Sequence, residues 1–140
     1  MNSNFILIIF CSFFLAIVGK AQTTGFSDDF SDGNFSAKPK WIGDTTKFEV
    51  QALSLRLNDT SSQSPAYLST HSYAINNAEW QFKLNLQFAP SSSNYARVFI
   101  VSDQADPQNA SEGYFVQIGG ESGNVDAISL YRFDGTAEEK

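Results

Sequence analysis

The chain has 140 residues, 42% of them hydrophobic and 14% aromatic, with a formal net charge of −6 and a single cysteine. That length suits one domain and excludes two of ordinary size, because each needs roughly 100–150 residues. The acidic balance excludes the basic stripe of a nucleic-acid binder, and the aromatic content excludes a disordered chain.

The first segment reads as an address. Phe5 to Val18 is an almost unbroken apolar run, followed by Gly19, Lys20 and Ala21. The small residues at 19 and 21 have the spacing that signal peptidase requires, which places the cut before Gln22. A basic stretch ahead of the run is missing, and an uncleaved anchor is the alternative. The run falls short of the roughly 20 residues that a membrane-spanning helix needs. Residues 1–21 are therefore expected to be a cleaved signal peptide, leaving residues 22–140 as a secreted or cell-surface chain with no membrane segment. Cys11 follows bulky Phe10, which argues against an acylated lipoprotein cysteine. Cleavage removes that only cysteine, so disulfides cannot hold the exported domain. It also removes Lys20, which makes the mature chain more acidic.

Along the mature chain the first chemistry-bearing group is acidic. Asp28, Asp29 and Asp32, beside Gly33 and Asn34, form the densest cluster of oxygen ligands, and calcium takes several such oxygens. These three aspartates are the candidate ligands of a structural calcium. Phe30 stands where an EF-hand loop would need another acid. The competing role for the same acids is to turn and solvate a loop. A second group, Asp103 and Asp106 with Gln104 and Asn109, raises the same choice further along.

The remaining pattern is one of short strands. Residues 54–57 and 66–70 flank a turn-rich stretch, 58–65. Residues 80–88 give the clearest signal: Trp80, Phe82, Leu84, Leu86 and Phe88 alternate with polar residues. That strict period of two predicts a strand with all five apolar side chains on one face, and it puts Trp80 in the core. Pro90 and the polar residues 91–94 end it. Residues 95–101 predict a strand with Tyr95, Arg97, Phe99 and Val101 on one face and Ala96, Val98 and Ile100 on the other. Residues 114–118 and 126–133 alternate likewise, joined through the hairpin-type connection 119–124. Asp134-Gly135 reads as a tight turn for which no return strand is expected, which suggests that the sequence stops inside a domain. Together these features predict an all-β antiparallel sandwich or barrel, incomplete at its C-terminus.

The order of the landmarks carries a resemblance. Residues 26–35 (FSDDFSDGNF), 41–44 (WIGD), 48–50 (FEV), 66–70 (AYLST), 77–80 (NAEW), 92–98 (SSNYARV) and 113–119 (GYFVQIG) resemble the N-terminal jelly-roll domain of large multidomain bacterial surface proteins. Those proteins are exported by Gram-negative bacteria with type IX secretion, in architectures with lamin-tail, immunoglobulin-like or sorting domains. The domain is of the concanavalin A-like, laminin-G-like kind. The resemblance spans residues 26–135. It implies a module joined to the rest of a larger chain, a glycan or other cell-surface ligand, and a structural calcium near a sheet rim.

Some sandwiches of this kind hydrolyse glycosides, which requires two carboxyl groups flanking the scissile bond. No acidic triple at alternating strand positions occurs, and Glu49, Glu79, Glu112 and Glu121 are isolated in sequence. A non-catalytic module is expected. The alternative is a fragment of a secreted glycoside hydrolase whose carboxylates lie beyond Lys140. Sugar binding asks for flat aromatics beside hydrogen-bonding side chains. Tyr67, Tyr95 and Tyr114, with Arg97 and Gln117, are the candidate ligand-binding residues.

Overall fold

A computed structural model describes residue 25 and residues 27–61, 65–123 and 127–140. The signal-peptide reading and the cut before Gln22 lie outside the described residues. Strands dominate what is described, with two single-turn 3₁₀ segments, Thr45–Lys47 and Pro107–Asn109, and no α-helix among the described residues. The all-β expectation holds.

The largest unit is a four-stranded antiparallel sheet. It contains β5 (Ala96–Ser102), β6 (Gly113–Ile118), β7 (Ile128–Phe133) and β8 (Glu138–Glu139), paired in that order as a meander. Two small antiparallel pairs precede it. β2 (Phe48–Gln51) and β3 (Ser54–Leu57) form a tight hairpin, while β1 (Ile42–Gly43) pairs with β4 (Leu68–Ser69). The strand expected over residues 66–70 is thus reduced to two residues, with Ala66 and Tyr67 outside it.

Register decides which face of the main sheet is inside. Arg97 pairs with Gln117, Phe99 with Phe115, Phe115 with Tyr131, and Gly113 with Phe133. Paired residues in an antiparallel sheet share a face, so these side chains form one surface. Phe115 at its centre is 1% exposed. Its ring stacks on Tyr131 at 5.1 Å and 11°, and meets Phe99 at 5.0 Å and Phe133 at 6.0 Å. Such ring pairs add about 0.5–1.5 kcal/mol each beyond the area they bury. This aromatic layer makes the Phe115 face the buried one. The opposite face, carrying Tyr114, Ile128 and Leu130, stays open, with Ile128 73% exposed.

Three expectations are corrected. A bulge in β5 between Phe99 and Val101 leaves Ile100 without a partner and pairs Val101 with Tyr114. An inserted residue reverses the alternation, so Val101 leaves the face shared by Arg97 and Phe99. Residues 80–88 form no strand, and residues 76–90 make no hydrogen bond with other described residues. Trp80, Phe82, Leu84 and Phe88 are exposed rather than core. Their alternation sorts one edge of the chain from the other, but a strand also needs a neighbour to bond with. Finally, the Asp134-Gly135 turn does have a return strand. In β8, Glu138 pairs with Phe133 and Glu139 with Arg132.

Candidate functional site

β5 and β6 bring three of the five ligand-binding candidates together. Arg97 projects from the buried face of β5, where its guanidinium carbon lies 4.4 Å from the Phe115 ring centre and 5.4 Å from that of Tyr95. Across the ladder, its Nε–H donates to Gln117 Oε1 at 2.8 Å. Gln117 is itself only 6% exposed, and its Nε2 donates to the Gly119 carbonyl at 3.2 Å. A buried amide with both ends engaged holds one orientation, and it fixes the Arg97 fork with it. Gly120 closes the arrangement. It has φ +85° and packs so closely on the Gln117 amide that a Cβ there would collide with it.

The two terminal nitrogens of Arg97 meet a residue that is not among the candidates read from the sequence. Nη1 and Nη2 donate to the two carboxylate oxygens of Glu138 at 2.9 and 3.0 Å. This bidentate fork is the strong form of a guanidinium–carboxylate pair. Beside it opens a cavity of about 350 Å³ whose lining includes Arg97, Phe99, Phe115, Phe133 and Glu138. The site therefore combines an aromatic floor, one oriented cation and the anion paired with it. Phe115 and Phe133 could have been picked from the alternation of their strands. Glu138 had no local signal, because it reaches Arg97 across a separation of 41 residues.

Tyr67 and Tyr114 lie elsewhere. Tyr114 shares its face with Val116 and Ile118, on the side of the sheet opposite Arg97 and Gln117. Tyr67 belongs with the β1–β4 pair, where its N–H donates to Asp44 Oδ2 at 3.1 Å and its carbonyl accepts from Asp44 N–H at 3.0 Å. Burial first, then the charges of Asp106 and Asp44, push its phenol pKa up.

The candidate calcium ligands are engaged locally. Asp28 Oδ1 accepts from Phe30 N–H at 2.9 Å, and its Oδ2 accepts from the Trp41 indole N–H at 2.8 Å. Asp29 accepts from Ser31 N–H at 3.0 Å, and Asp32 receives both the backbone N–H and the side-chain amide of Asn34. These are Asx-type turns, each carboxylate folding the chain two residues ahead. The second acidic group does the same for the β5–β6 connection. Asp106 caps the Pro107–Asn109 turn through Gln108 N–H, and Asp103 gathers Ser111 and Glu112. Among the described residues, no three His, Cys, Asp or Glu side chains are grouped so as to hold a metal ion. Nor is any helix among them long and apolar enough to cross a membrane.

No family model, no curated protein and no solved structure matches the chain.

Proposed function

We propose that the chain is a non-catalytic, secreted β-sandwich module of a larger cell-surface or extracellular protein, and that it binds glycan on the Arg97 face of its main sheet. The observation that carries this reading is the oriented Arg97–Gln117 pair over the Phe115 layer, opening onto a cavity of about 350 Å³. Small-ligand sites are typically clefts of about 300–1,000 Å³ in which a few fixed polar groups set the orientation of the ligand. A sugar presents a matching surface: an apolar ring face for the half-buried Phe99 and Phe133, and oxygen acceptors for the Arg97 guanidinium that Gln117 orients. Export rests on the apolar run from Phe5 to Val18 and the small residues at 19 and 21. The jelly-roll sandwich belongs to the same reading, as does a structural calcium at Asp28, Asp29 and Asp32.

Glycan-array binding by the full chain tests the proposal. Saturable binding to a restricted set of saccharides is expected, weakened by Arg97→Ala in a folded variant. Saturable turnover of a polysaccharide would overturn it in favour of the hydrolase reading. Added calcium should raise the melting temperature if the aspartate loop takes the ion, and chelation should reverse the gain.

A further inference from the structure

Glu138 occupies Arg97 in the way a carboxylate ligand would. Its two oxygens take the two terminal nitrogens of the guanidinium side by side, at 2.9 and 3.0 Å. Its other supports are local or on the surface: Asp134 Oδ1 accepts from Thr136 and Ala137 in the preceding turn, and the ion pairs Arg132–Glu139 and Lys140–Glu121 flank it. β8 is two residues long and pairs only through Glu138–Phe133 and Glu139–Arg132. Its residues are exposed, and the Glu138 side chain is 46% exposed, so solvent screens the ion pair and weakens it. Arg97, by contrast, has supports that do not depend on Glu138. The Gln117 amide holds its Nε, and the Phe115 ring lies beneath its guanidinium.

We propose that Glu138 is a built-in competitor for a carboxylate-bearing saccharide, a uronate, whose acid group takes the same fork on Arg97. The inference rests on the glycan-binding reading above and names its ligand class. Gly135 to Glu138 form one wall of the cavity, so release of β8 opens it and leaves a pre-oriented guanidinium at its floor, with the half-buried Phe99 and Phe133 to receive the sugar body. A planar carboxylate matches the two parallel N–H donors of the fork, whereas a hydroxyl engages at most one of them at a time. A carboxylate can take the fork only in molecules with Glu138 displaced, so the apparent dissociation constant of the acid is the intrinsic one divided by their fraction. Removing the competing charge raises that fraction.

Calorimetric titration of the full chain with trigalacturonate and with its methyl ester tests this. Glu138→Gln and Glu138→Ala lie on an exposed strand and leave the aromatic layer intact, which circular dichroism verifies. Both variants should bind the acid about fivefold tighter or better than the parent chain. The neutral ester has no carboxylate to compete for the fork, so its gain should be distinctly smaller than the acid's. Equal gains for acid and ester would overturn the carboxylate assignment, as would no gain for the acid while the ester still binds. A sulfated galactotriose preferred over trigalacturonate would overturn it too, since a tetrahedral anion would then be the better fit. If none of these saccharides binds parent or variants while other glycans bind the array, the uronate inference fails alone. No binding to any glycan removes the module reading with it.

Discussion

Arg97 and Gln117 face each other across β5 and β6, and the Arg97 Nε–H donates to the buried Gln117 Oε1 at 2.8 Å. The amide's other end donates to the Gly119 carbonyl at 3.2 Å. One side chain thereby ties the cation of the site to the turn that follows β6. Leucine at 117 would keep much of the volume and remove both bonds. The guanidinium would lose its anchor, and the Gly119 carbonyl would lose its side-chain donor. A buried polar group deprived of its partner costs about 1–3 kcal/mol. Gln117→Leu should therefore lower the urea midpoint by that order, and it should loosen Arg97 enough to weaken saccharide binding. An unchanged midpoint would show that the buried amide contributes no net stability.

Acid should act first through the loop acids. The Ser111 hydroxyl, followed by the backbone N–H groups of Glu112 and Ser111, holds the Asp103 carboxyl at about 2, below its ordinary 3.8. The Ser61 hydroxyl and N–H, then Lys47, hold Asp59 at about 2 as well. A folded-state pKa below the unfolded value means that folding favours the charged form. The associated stability is present above roughly pH 4 and is lost as pH falls through about 2. Melting temperatures measured between about pH 6 and pH 2 should decline mainly in that lower window. Ser111→Ala should lie below the parent at neutral pH and approach it near pH 2. A gap that stays constant with pH would mean that the hydroxyl acts by packing and not through the Asp103 charge.

The sequence made the main sheet readable because its information is local. Phe115 and Gln117 alternate with Tyr114 and Val116, and Tyr131 and Phe133 alternate with Leu130 and Arg132, so β6 and β7 emerge from period two alone. The β5 bulge did not, since Ile100 is as apolar as its neighbours and only pairing with β6 reveals the extra residue. Residues 80–88 show the opposite limit: their alternation is the strictest in the chain, yet a strand is defined by hydrogen bonds to a partner, and these residues make none with the other described residues. β8 was hidden for a related reason. Glu138 and Glu139 have low strand propensity, and what orders them is Arg97 and Arg132, distant in sequence. In the candidate site, Tyr95, Arg97 and Gln117 were legible as strand-borne polar and aromatic groups. Tyr67 and Tyr114 were grouped with them by residue type, which carries no information about face. The aspartates were equally ambiguous, because a carboxylate that turns a loop and one that binds calcium look alike in sequence.

The β2–β3 hairpin offers a test in which the local rule and the sequence disagree. Gln51 pairs with Ser54, leaving Ala52 and Leu53 as a two-residue loop with φ of 49° and 60°. Positive φ at both centres is the type I′ pattern, which favours Asn followed by Gly. A Cβ in the left-handed region is disfavoured, by about 1–2 kcal/mol per residue. Leu53 is exposed, so its side chain returns little through burial. The added flexibility of glycine in the unfolded chain offsets roughly 0.5–1 kcal/mol of the relief. Ala52→Asn combined with Leu53→Gly should therefore stabilise the domain by about 1 kcal/mol. The urea midpoint should rise while the slope of the transition stays fixed. A midpoint that falls would mean that Leu53 contributes contacts that outweigh the strain of its backbone.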